Sequence, residues 1–332
     1  MNGRSMIREP IRAIVVLGLA ISMATAARSD TPAQDASGRT GGDLDAGLVA
    51  PSRFGERPPD EAFGAFQRGL YLTARNLALP RAEAGDPAAQ TLLAEIYSRG
   101  LGVARNSQVA ADWYMKAAEQ GVPEALLQYA LILSNKQNAS DTELLKARNM
   151  MRTAADAGNA HAEFNYAQML VTDRPTSASY RKAYPYFMRA AQKGIPEAQY
   201  AVSQYLTNGT AGIESDYEEA RKWLTLAARQ NFDIAQLELG EWYLNGIGGK
   251  RNLRRAFAWT IRAARAGNVA AQASAARLYW GGLGIEPDEA EAAAWFVIAR
   301  RAGFRDKALD DFWEGLTVEQ HRAAIDRANK LR

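Results

Sequence analysis

The chain has 332 residues, 47% of them hydrophobic and 23% charged, with two histidines and no cysteine. That apolar share suits a folded chain, and the length suits two or three domains or one long repeat array. The missing thiols exclude disulfide scaffolds, cysteine-rich zinc modules, iron–sulfur sites, thiol catalysis and lipid attachment through an N-terminal cysteine. Of the formal net charge of +3, residues 1–26 contribute +2 through Arg4, Arg8 and Arg12 against Glu9, leaving +1. Such a balance gives no general drive toward nucleic acid, and none is expected as a partner.

Residues 1–26 read as a signal peptide. A basic stretch ends at Arg12, an apolar run follows, and Ala24-Thr25-Ala26 places small residues where a signal peptidase cuts. The run is roughly 14 residues, short of the ~20 a spanning helix needs. Cleavage there predicts a chain starting near Ala27 and a periplasmic or secreted location; retention as an anchor is the alternative. Residues 27–60 are rich in Gly, Pro, Ser and Asp with no sustained period, and read as a flexible linker. Residues 61–85 follow as an N-terminal capping element, with one helix expected over Glu61 to Leu79.

Residues 86–303 repeat six times. The marker is a small-residue pair, two variable residues and a glycine: Ala117-Ala118-Glu119-Gln120-Gly121, Ala154-Ala155-Asp156-Ala157-Gly158, Ala190-Ala191-Gln192-Lys193-Gly194 and Ala263-Ala264-Arg265-Ala266-Gly267. Asn231 replaces the glycine once, and Ala299 to Gly303 is a degraded copy. The closing residues Gly85, Gly121, Gly158, Gly194, Asn231, Gly267 and Gly303 stand 36 or 37 apart. Gly and Asn are the residues that close a helix in the left-handed conformation at low cost.

Four residues after each closing residue comes an alanine (Ala89, Ala125, Ala162, Ala198, Ala235, Ala271), which lets two helices approach closely. Eight further on stands a large apolar residue: Tyr97, Leu133, Leu170, Leu206, Tyr243 or Tyr279. This spacing is helical. Glycine turns follow in four units, at Gly100/Gly102, Gly209/Gly212, Gly246/Gly248 and Gly282/Gly284. A second helix then carries an aromatic pair or half of one: Trp113-Tyr114, Tyr186-Phe187, Trp295-Phe296, Trp223 and Trp259. Two units depart from the pattern, with Met150-Met151 and SNKQNASD in one and DRPTSAS in the other, where Pro175 ends a helix.

Blocks such as LLAEIYSRGLGVARNSQVAADWYMKAAEQG and LGEWYLNGIGGKRNLRRAFAWTIRAARAG resemble Sel1-like repeats, a subgroup of the tetratricopeptide-type helical solenoids. The resemblance covers roughly residues 61–332 and implies an all-α, right-handed α-solenoid of helix-turn-helix repeats with capping helices at both ends. Residues 304–332 supply the C-terminal cap, in which Thr317-Val318-Glu319-Gln320 has the form of a capping box. The family resemblance also implies an exported adaptor or regulator at the bacterial envelope. One such group restrains a membrane sensor kinase and so controls exopolysaccharide, and another scaffolds polysaccharide export. Cysteine-rich Sel1-like proteins have been linked to β-lactam hydrolysis, but through disulfide-bridged repeats that this chain lacks.

No catalytic constellation emerges, and no cofactor or metal is expected. His161 and His321 lie in different units without triad or ligand partners. Gly246 to Arg251 looks like a phosphate loop only superficially, because Leu244 and Arg251 stand where the first glycine and the Ser/Thr belong. Asp310, Asp311 and Glu314 share one helical turn and read as a solvated face.

Two surfaces are the candidates for binding. On the first helices, positions two, three and six after the recurring alanine point outward; they hold Phe164, Asn165, Gln168, Tyr200, Gln204, Glu238, Glu241 and Arg277. Aromatic anchors ringed by polar groups have the composition of a protein-binding hot spot, with packing between neighbouring units as the structural alternative for the two aromatics. Between Trp242 and Ile285 no acidic residue occurs, while Lys250, Arg251, Arg254, Arg255, Arg262 and Arg265 predict a basic patch on the outer surface. The first surface predicts a protein partner, an envelope protein in the family's manner. The second predicts contact with an anionic surface, peptidoglycan or another glycan.

Overall fold

The computed structural model describes residues 60–331. The signal-peptide reading of 1–26 and nearly all of the linker therefore lie outside the described residues. Among the described residues the chain is entirely α-helical, apart from turns and a short 3₁₀ turn at Thr210–Gly212.

Six helical hairpins follow one another. They are α3 (Pro87–Arg99) with α4 (Ser107–Glu119), α5 (Pro123–Ser134) with α6 (Asp141–Asp156), and α7 (Ala160–Asp173) with α8 (Ser177–Gln192). Next come α9 (Pro196–Asn208) with α10 (Tyr217–Arg229), α11 (Asp233–Asn245) with α12 (Leu253–Arg265), and α13 (Val269–Trp280) with α14 (Glu289–Arg301). Two helices precede them, α1 (Glu61–Gln67) and α2 (Tyr71–Glu83), and two follow, α15 (Lys307–Glu314) and α16 (Val318–Lys330). The helices from α1 to α14 pack chiefly on their neighbours in the chain, α15 meets α13, and α16 folds back on α14. The result is an α-solenoid, in which stability is a sum of units and nearest-neighbour interfaces.

The closing residues behave as their chemistry demands. Gly85, Gly121, Gly158, Gly194, Gly267 and Gly303 all have φ between 81° and 96°, and Asn231 has φ 65°. All six recurring alanines are buried, at 0–2% exposure. Every second helix starts under a side-chain cap, from Asn106, Ser140, Thr176, Asp216, Asn252 or Asp288. Such a cap contributes about 1 kcal/mol to a helix.

The turn glycines have a second duty at Gly248 and Gly284. A Cβ there would collide with the carbonyl oxygen of Tyr217 or of Leu253, the first residue of the preceding unit's second helix. The turn can thus lie directly against the previous hairpin.

The N-terminal cap differs from the single helix expected over Glu61 to Leu79. It is two helices, because Gly69 takes φ 77° and breaks the first after Gln67. At the other end Thr317 and Gln320 form the capping box that opens α16. His321 stacks on Trp313 at 4.2 Å and bonds its carbonyl at 2.8 Å, a structural role.

Candidate partner-binding faces

Between hairpins lies a polar seam that the repeat pattern alone did not reveal. One residue after each recurring alanine stand Gln90, Leu126, Glu163, Gln199, Gln236 and Gln272, every one of them buried. Where glutamine occupies the position, its amide donates to a carbonyl at the end of the preceding second helix, Ala82, Ala191, Ala228 or Ala264. Its oxygen then needs a donor. Gln120 and Gln230, which close their own second helices, supply one to Gln90 and Gln199 at 2.8 Å each. Glu163 instead meets Arg189 at 2.7 Å and Lys193 at 2.8 Å. Leu126 needs nothing, and its counterpart is Ala157. For Gln236 and Gln272 the counterparts are Ala266 and Ala302, and the oxygens of both glutamines lack a partner.

The first-helix face brings together five of the eight residues expected there. Gln204 on α9 donates to both carboxylate oxygens of Glu238 on α11, 2.9 Å each, and Tyr200 and Trp242 flank the same carboxylate. Glu241 is one turn further along α11, and Arg277 on α13 acts on its charge. Burial holds the carboxyls of Glu238 and Glu241 above their ordinary range, and for Glu241 the charge of Glu238 adds to the effect. Neither carboxylate forms an ion pair among the described residues, since Arg277 is bound to Asp306. The cluster therefore runs across three successive units.

Phe164 and Tyr200 follow the packing alternative of the two readings that the sequence left open. Phe164 is half-buried, 5.9 Å from the ring of Phe187, and Tyr200 is half-buried, 5.5 Å from Phe232. Both pack into the seam beside the core of units three to five. Asn165 folds back to the His161 carbonyl at 2.8 Å, and Gln168 is half-buried one unit away from the acidic cluster.

On the second-helix side the six expected basic residues are all exposed. None forms an ion pair with a carboxylate among the described residues. Arg251 donates to the Leu244 carbonyl, and Arg255 donates to the Tyr243 hydroxyl at 3.3 Å. Burial would raise the Tyr243 hydroxyl's pKa, but the guanidiniums of Arg221 and Arg255 outweigh it and lower the value. Arg262 lies 5.6 Å over the ring of half-buried Trp259. No grouping of three or more potential metal ligands occurs among the described residues.

The repeat geometry has a matching description. The family model for the Sel1 repeat covers residues 87–122, 160–195, 196–232, 233–268 and 269–304, more than half of the chain. The chain belongs to the Sel1-repeat family. The hairpin α5–α6, with methionines for the aromatic pair and no glycine turn, falls between the matched Sel1 segments.

Three relatives are similar over parts of the chain. A Sel1-repeat-containing protein of Escherichia coli K12, YjcO, is 36% identical over 44% of this chain and 62% of its own length. An exopolysaccharide production negative regulator of Rhizobium meliloti is 26% identical over 66% of this chain and 70% of its own. Chitin synthase regulatory factor 3 of Schizosaccharomyces pombe is 27% identical over 51% of this chain but only 19% of its own. The chain thus spans less than two thirds of two of these relatives. A crystal structure of a Sel1 repeat protein from Oxalobacter formigenes superposes with a TM-score of 0.63 at 27% identity, over 74% of this chain and 96% of that one.

Proposed function

We propose that this Sel1-repeat protein is an exported, non-enzymatic scaffold that holds a protein segment against its first-helix face and so regulates an envelope sensor or polysaccharide system. The observation that carries the reading is the cluster of Tyr200, Gln204, Glu238, Glu241 and Arg277, which three units build together. Two carboxylates held side by side without an ion pair among the described residues favour a partner segment that brings a Lys or Arg side chain to them. The relative named as an exopolysaccharide production negative regulator, and the signal-like residues 1–26, support the regulatory and envelope parts of the proposal.

The test takes the protein that crosslinks to this chain in the cells that make it and measures the purified pair by calorimetry. Glu241→Lys should weaken binding about tenfold or more, since it places a like charge against the incoming cation. Lys222→Glu on α10, an exposed position on a second helix, should leave it within about twofold. Equal effects of the two substitutions, with circular dichroism unchanged, would remove the assignment of this face.

A further inference from the structure

The second-helix surface of the fifth unit calls for an occupant that the first-helix reading leaves out. Helix α12 carries four arginines, Arg254, Arg255, Arg262 and Arg265, and no carboxylate. At ~100° per residue, all four fall within about 100° of the helix circumference, and they extend ~16 Å along its axis. Lys250 and Arg251 continue the stripe from the preceding turn. The opposite side of the helix is consumed by packing, with Ala256, Thr260, Ala263 and Ala264 all buried.

An exposed arginine can pair with a carboxylate on its own or a neighbouring helix. Elsewhere in this chain such pairs form within and between units, as in Arg327 with Glu291 and Arg148 with Asp173. Here six adjacent cations have none among the described residues; their partners are a carbonyl, a hydroxyl and a ring. A line of guanidiniums is matched by a ligand whose own anions come in a line. The planar fork of arginine pairs two-to-two with carboxylates, and five of the six cations are arginine.

We infer that this face of α12, with Lys250 and Arg251, binds an acidic polysaccharide bearing carboxylates along its chain. Three features favour a glycan over other polyanions. Trp259 borders the stripe, half-buried, with Arg262 over its ring. It can offer part of an indole face to the C–H side of a sugar whose carboxylate meets the neighbouring arginine. The one exposed residue of α12 besides its arginines is Ala258, so no large exposed apolar side chain is available to enter a bilayer as a membrane-surface helix requires. The stripe also lacks the pocketed anchor on which a protein partner would be centred. The face lies on the second helices, away from the Glu238/Glu241 cluster, and the inference does not depend on the proposed protein partner.

The test uses the purified chain, polygalacturonate as the probe, and titration at two salt concentrations. The triple variant R254Q/R262Q/R265Q alters exposed, unpaired side chains, so folding should be unaffected. A control triple, K182Q/R229Q/K307Q, removes the same charge at exposed positions elsewhere that form no ion pairs among the described residues. The expected result is saturable, salt-weakened binding that falls about tenfold or more in the first triple and within about twofold in the control. Neutral dextran should not bind. Equal losses in both triples would reduce the effect to net charge and overturn the site. Equal or tighter binding to inorganic polyphosphate would overturn the sugar assignment. Binding to phosphatidylglycerol vesicles without binding to polygalacturonate would transfer the face to a membrane.

Discussion

Supplying the two missing donors in the polar seam should stabilise the chain. The oxygens of Gln236 and Gln272 are buried and unpartnered, at 1% and 7% residue exposure. In the units ending at Gln120 and Gln230 the closing glutamine donates to that oxygen at 2.8 Å. Ala266 and Ala302 occupy the same closing position and are exposed, so a glutamine there has room to reach inward. An unsatisfied buried acceptor costs about 1–3 kcal/mol. Ordering a glutamine side chain takes back up to ~2 kcal/mol. Ala266→Gln and Ala302→Gln should therefore each gain about 0.5–1 kcal/mol. Gln230→Ala, which strips a donor from Gln199, should lose about 1–2 kcal/mol. Urea unfolding followed by circular dichroism reads the differences in midpoint. The decisive control is Ala157→Gln, opposite Leu126, where no acceptor waits. If Ala157→Gln stabilises as much as Ala266→Gln, the gain is helix propensity and the hydrogen-bond argument fails.

Three further outcomes are expected. Gly248→Ala and Gly284→Ala should each cost about 2 kcal/mol or more, since the new Cβ meets a carbonyl oxygen at a positive φ, whereas Gly267→Ala meets nothing and should cost less; thermal melts of the three variants check the order. Glu238 and Glu241 have folded pKa values raised above the ordinary 4.5, so the folded state holds the extra protons and their contribution to stability is present below that value and lost as pH rises through the raised one. Glu241→Gln should consequently raise the melting temperature at pH 7 and give no gain at pH 4, and the reverse order would contradict the assignment. N-terminal sequencing of the chain recovered from the periplasm of a Gram-negative host should begin at or near Ala27, while an intact Met1 in the membrane fraction would favour an anchor.

The architecture was legible because one constraint recurs at a fixed interval. Each hairpin must end in a left-handed residue, and the six glycines and Asn231 that do so are visible in the sequence at 36 or 37 residue spacing. The capping box at Thr317 and the basic stripe were legible for the same reason, since both are set by local chemistry. The break at Gly69 was not, because a lone glycine in an apolar helical pattern is compatible with a continuous helix. Phe164 and Tyr200 could be placed on the first helices, but the sequence left open whether they are exposed anchors or pack between units. Position two after the alanine faces the edge of the seam, where only the neighbouring ring, Phe187 or Phe232, decides how far an aromatic is covered. The polar seam was written in the sequence all along. It becomes visible only when the residue after each alanine is set beside the one 30 or 31 positions later, which requires knowing that the two helices touch.

The most direct test of the scaffold account is a photo-crosslinking scan in the cells that make the protein, with the crosslinking residue placed at Glu241 or Gln168 on the first helices, or at Lys222 on a second helix. The account predicts one dominant protein adduct from Glu241, with Gln168 giving the same adduct or none, and no adduct from Lys222. The same adduct from Lys222 with none from Glu241 would contradict it.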